Sequence, residues 1–98
     1  MCVTLWPNPG HEQELADYED SVLALLPEHR SRLVARVRAA DAEATSAVGE
    51  GHPYETQIIE IPDQAALDAY LADPRRVGSL DVRDRAIART DIQLVTLV

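Results

Sequence analysis

The order in which the hydrophobic period changes along the chain is the strongest constraint on its fold. Cys2 to Trp6 (CVTLW) is short, apolar and β-branched, the pattern of a strand. Leu15, Tyr18, Val22, Leu25 and Leu26 then recur at helical spacing and define an amphipathic helix of about four turns. Asn8-Pro9 supplies a cap and a first helical residue, Glu12 and Glu14 suit the positive end of the helix dipole, and Pro27 stops the helix. Arg32 to Arg38 (RLVARVR) alternates, with Leu33, Ala35 and Val37 on one face and the arginines mostly on the other. Tyr54 to Ile61 (YETQIIEI) is a third strand, Ile58 opposing Ile59 and Ile61. Pro62-Asp63 starts a second helix carrying Leu67, Tyr70 and Leu71. Asp73-Pro74 repeats the capping device, so that helix kinks or restarts before running to about Ala88. Thr90 to Val98 (TDIQLVTLV) closes the series as a strand with apolar residues on both faces.

The resulting order, β-α-β-β-α-β, is that of two split βαβ units. It predicts an α+β protein with a ferredoxin-like sandwich, one antiparallel sheet carrying two helices on one face. Residues 1–98 are short enough for a single domain. Strands apolar on both faces need cover on the side the helices leave open. A second copy of the chain is the natural cover, so a homodimer packed sheet to sheet is expected. The stretch from Ala39 to Pro53 is small, acidic and glycine-containing, and reads as a long connection of the kind that is often functional.

Charge narrows the partners. Seventeen acidic residues face nine basic ones, all arginine, for a net charge of −8. Such a surface repels phosphate, which argues against nucleic acid and anionic membranes. One cysteine, Cys2, leaves neither a disulfide framework nor a cysteine-cluster zinc site, and in a strand it has no evident activating partner. No apolar run approaches the roughly 20 residues of a membrane span, and Met1 is followed by strand-like sequence rather than a signal peptide. A cytoplasmic protein is expected. The three histidines lack i,i+4 or HxH spacing, and no glycine-rich phosphate loop or GxSxG elbow occurs, so neither metal nor cofactor is expected.

Two residues depart from a plain core at about 100° per helical residue. Val77, Leu80 and Ile87 define the stripe of the second helix, and Asp84 falls within it. A desolvated aspartate has a raised pKa and is a candidate general base; the structural alternatives are that the stripe ends early or that Asp84 pairs with an arginine such as Arg36 or Arg38. His11 shares the face of Leu15, Tyr18, Val22 and Leu25 at the start of the first helix, where the dipole favours neutral imidazole. The alternative there is an ordinary half-exposed residue. In the ferredoxin-like order the first helix starts, and the second ends, at one edge of the sheet. Trp6, Tyr54, His52 and Arg36 approach the same edge, so they are candidate substrate-binding residues beside a catalytic Asp84 and His11. Tyr18 and Tyr70 lie on core stripes and read as packing residues, and Asp81–Arg85 as an i,i+4 surface pair.

The stretch PYETQIIEIPDQAALDAYLADPRRVGSLDVRDRAIARTDI resembles small bacterial members of the dimeric α/β-barrel superfamily, which includes antibiotic-biosynthesis monooxygenases and EthD-like proteins. The likeness lies in a third strand ending in Glu-apolar-Pro and in the aromatic-Leu-x-Asp-Pro turn. It implies a dimer and a cleft between sheet and helices. It also implies cofactor-independent chemistry on an aromatic or polyketide-like molecule, either oxygenation or proton-transfer cyclisation or isomerisation. A haem-degrading role would want a pocket asparagine, whereas the only asparagine, Asn8, reads as a cap. The competing class is a non-catalytic dimeric ligand-binding or accessory module.

Overall fold

A computed structural model describes residues 1–40 and 52–98. Its elements are β1 (Cys2–Pro7), α1 (Glu12–Leu23), a 3-10 turn (Leu26–His29), β2 (Arg32–Arg38), β3 (Glu55–Glu60), α2 (Gln64–Leu71), α3 (Pro74–Val77), α4 (Leu80–Ala86) and β4 (Ile87–Gln93). The strands form one sheet in the order β2-β3-β1-β4, each neighbouring pair antiparallel. This α+β arrangement is compatible with the ferredoxin-like fold expected from the pattern. Most of the long connection expected between β2 and β3 lies outside the described residues.

Side chains alternate between the two faces of each strand. Val3 and Leu5 of β1 and Ile59 of β3 are buried under the helices, against Leu15, Val22 and Leu26. Ile58, on the opposite face of β3, is half-buried. Asp63 caps α2 by accepting from the Ala66 amide at 2.8 Å, and Asp73 caps α3 by accepting from Arg75 N–H at 2.9 Å. Both caps lie where the Asp-containing signals stand in the sequence. A further break at Gly78–Ser79 divides the second helical region again, and α4 stops at Ala86 because Ile87 already has the extended backbone of β4.

The start of α1 departs from expectation. Gly10 has φ +83°, a conformation natural to glycine, and this turn delays the helix to Glu12. Asn8 does not cap α1. Its side-chain amide donates to the Arg85 carbonyl at 2.8 Å and the Asp84 carbonyl at 3.5 Å, while its backbone N–H reaches Ala86 O at 2.9 Å. These are carbonyls that a helix end leaves without partners. Asn8 thus ties β1 to the end of α4, and brings the start of α1 to the edge where α4 ends.

The facing of β2 is also corrected. A register shift between Leu33 and Ala35 sets two residues of β2 against one of β3, the geometry of a β-bulge. It inverts the phase of the strand. Leu33 still packs on the core, but beyond the bulge Arg36 and Arg38 face the helices, and Val37 is 60% exposed. The last strand occupies Ile87–Gln93 rather than Thr90–Val98. The two-sided apolar character assigned to it came largely from Leu94, Val95, Leu97 and Val98, which lie beyond β4 and are exposed.

Candidate functional site

The helix-facing side of β3 begins with two polar residues. Glu55 and Gln57 are each only 1% exposed. Gln57 Nε2 donates to Glu55 Oε2 at 2.6 Å and to Glu19 Oε1, on α1, at 2.8 Å. Glu55 also receives Arg36 Nε at 2.9 Å and Arg38 Nε at 2.7 Å. The carboxylates at the two ends of this amide bridge have opposite environments. Burial pushes the Glu55 carboxyl up, but Arg36, Arg38 and Gln57 outweigh it and hold Glu55 below the usual range. Burial pushes Glu19 up as well; the Gln57 bond only partly offsets this, and the charge on Glu55 adds to it. Glu55 is thus favoured as the anion, while burial favours the protonated form of Glu19.

Glu19 and Gln57 open onto a cavity of about 120 Å³ between sheet and helices. Tyr18, Tyr70, Arg76, Arg83 and Thr90 add to its polar lining, and Val3, Leu5 and Ile59 to its apolar lining. Tyr70 donates its hydroxyl to Val22 O at 3.0 Å, and burial raises this phenol to about 12. The Arg76 guanidinium stacks over the Tyr70 ring, 4.5 Å from its centroid. Arg83 reaches Thr90 Oγ1 at 3.4 Å. The arrangement suits a small ligand: an apolar lining, two cationic groups, one phenol donor in Tyr18 and one buried carboxyl.

The residues singled out in the sequence are not the ones the fold brings together here. Asp84 has a side chain 75% exposed and lies 3.7 Å from Arg83, so the desolvation expected of it is absent. The reason is that α4 is only seven residues long and buries Ala86 alone, too short to carry the stripe inferred across Val77, Leu80 and Ile87. His11 is half-exposed and its Nδ1 pairs with Glu14, which also binds Arg85. Arg85 and His11 hold Glu14 down at about 2, and Arg85 is thereby paired with Glu14 rather than Asp81. Trp6 stands on the sheet face away from the helices, under the Arg89 guanidinium at 4.3 Å. Tyr54 packs against the core margin and His52 is exposed. Arg36 is committed to Glu55, Asp20 and the Ala16 carbonyl, leaving it a structural clamp. His11 and Asp84 do reach one edge of the molecule, as the topology requires, but outside the cavity.

Glu19 was the misfit to find. It lies four residues after Leu15 and four before Leu23, on the buried stripe of α1. Glu55 and Gln57 likewise precede Ile59 with period two, which places them under the helices.

Among the described residues no group of three or more His, Cys, Asp or Glu is placed to hold a metal ion, and no helix is long and apolar enough to cross a membrane. No protein-family model matches the chain, and no curated protein matches it.

Proposed function

We propose that the chain is a cofactor-independent enzyme that moves a proton on a small aromatic or polyketide-like molecule held in the sheet–helix cavity, with Glu19 as the general base and acid. The observation that carries this reading is the pair of carboxylates joined by Gln57, one clamped by arginines and one pushed up by burial. Environments that drive two carboxyls apart mark acid–base assignments, because the raised group takes and returns a proton near neutrality. Of the two chemistries expected from the resemblance, proton transfer has its group in the cavity. Deuterium uptake from solvent into acidic C–H positions of small ketones, 1,3-dicarbonyls and phenols tests it by NMR. Glu19→Gln should slow uptake roughly 10²–10⁴-fold while Asp84→Asn leaves it unchanged. Uptake that survives in Glu19→Gln rejects the assignment.

The second reading is a dimer that binds rather than converts its ligand. It is favoured by the apolar residues on the sheet face without helices, Val34, Val37 and half-buried Ile58, and by Leu94 and Leu97 beyond β4. A second copy seated there covers them. Sedimentation near twice the 10.8 kDa chain mass at micromolar concentration is the expected result, and a clean monomer rejects it.

A further inference from the structure

Two hydrogen-bond donors in the cavity lack partners among the described residues: the Tyr18 hydroxyl and Arg76 Nε. Both atoms are fully buried, Tyr18 is 4% exposed as a whole, and both residues line the same cavity. Buried donors without acceptors are costly and are seldom kept without one. Burial pushes the Tyr18 phenol up, so at neutral pH its oxygen carries a proton to donate. Arg76 stacks on the Tyr70 ring, and a guanidinium Nε–H can only donate.

We infer that Tyr18 O–H and Arg76 Nε–H form a carbonyl anchor, and that the cavity takes a small enolisable ketone whose oxygen accepts from one or both. This inference rests on the reading of the cavity as the ligand site. The size agrees: an engineered apolar cavity of roughly 150 Å³ holds benzene, and about 120 Å³ admits a single ring or a short acyl chain but not a fused polycycle. The chemistry joins Glu19 to the anchor. A C–H bond beside the carbonyl breaks and Glu19 takes the proton. The electron pair forms a carbon–carbon double bond, and the carbonyl π electrons move to the oxygen held by the two donors. Return of a proton from Glu19 to the same carbon restores the ketone with its hydrogen exchanged; on a β,γ-unsaturated ketone, return to the far carbon of the dienolate completes an isomerisation. Donors aimed at a developing oxyanion stabilise it most where water is excluded.

The test uses cyclohexanone labelled with ¹³C at the carbonyl, and methylenecyclohexane, which has the same shape and no acceptor oxygen. The wild-type chain should bind the ketone at least tenfold more tightly and move its carbonyl resonance downfield. Tyr18→Phe should weaken the ketone about tenfold, reduce the downfield shift, leave the alkene unaffected, and melt no lower than wild type, since the lost hydroxyl has no partner to miss. Arg76→Met should do the same to the ketone; Arg76→Lys, which keeps the charge and loses Nε–H, replaces it if that variant fails to fold. Equal affinity for ketone and alkene, no ketone binding at millimolar concentration, or unchanged ketone binding in Tyr18→Phe and in the Arg76 variant overturns the anchor. Ketone bound through Tyr18 and Arg76 without deuterium uptake sustains the anchor and removes the proton-transfer function. Uptake that needs Glu19 but neither Tyr18 nor Arg76 does the reverse.

Discussion

Gln57 holds Glu19 through a 2.8 Å hydrogen bond that crosses from the inner strand β3 to α1, and links the cavity carboxyl to the arginine-clamped Glu55. Both amide protons of Gln57 are used, one on each carboxylate. Replacing Gln57 with Leu leaves both acceptors short of a donor in a buried setting. The expected cost is about 1–3 kcal/mol of stability, read from urea unfolding. A cost near zero would show that the bridge does not order the cavity wall.

The pH dependence of Glu19 follows from its environment. Its carboxyl is raised in the folded chain, so above the unfolded value near 4.3 the folded state holds more protons than the unfolded one, and stability falls as pH rises through that interval. Glu19→Gln removes this term. The variant should match wild type near pH 4 and be the more stable of the two at pH 7. Urea melts from pH 4 to pH 8 decide the point, and a variant less stable than wild type at pH 7 contradicts it.

Ile58 and Ile59 separate the core from the open sheet face. Ile59 is 2% exposed beneath the helices, and Ile59→Ala should cost about 2–5 kcal/mol. Ile58 stands on the other face, so Ile58→Glu should leave unfolding nearly unchanged and shift the sedimenting mass from that of the proposed dimer to the 10.8 kDa chain. Equal loss of stability in both variants with association untouched contradicts two-sided burial.

Arg36 and Asp84 should behave in opposite ways. Arg36 is 20% exposed and clamps a Glu55 side chain that is fully buried, so Arg36→Met should cost about 3 kcal/mol even with Arg38 in place. Asp84 is in solvent, and Asp84→Asn should change stability by less than about 0.5 kcal/mol and leave ketone affinity alone. Thermal melts and the ketone titration read both variants together.

The sequence by itself determined what local chemistry controls. Period-two and helical runs placed four strands and the helical regions in order, and Asp63 and Asp73 marked true helix starts, because a cap acts on amides two or three residues away. Alternation alone put Ile58 and Ile59 on opposite faces. Glu19 was within reach of the same arithmetic, four residues from both Leu15 and Leu23. Tertiary structure decided what depends on distant partners. The bulge that turns Arg36 and Arg38 toward the helices exists only in the pairing of β2 with β3, since a one-residue slip exchanges the faces of every following side chain. The role of Asn8 depends on carbonyls 76 and 77 residues away, which no short pattern reports. The direction in which each carboxyl shifts was decided in the same way: Arg36 and Arg38 hydrogen-bond to Glu55 and hold it down, whereas at Glu19 burial outweighs the Gln57 bond and the charges of Arg76 and Arg36.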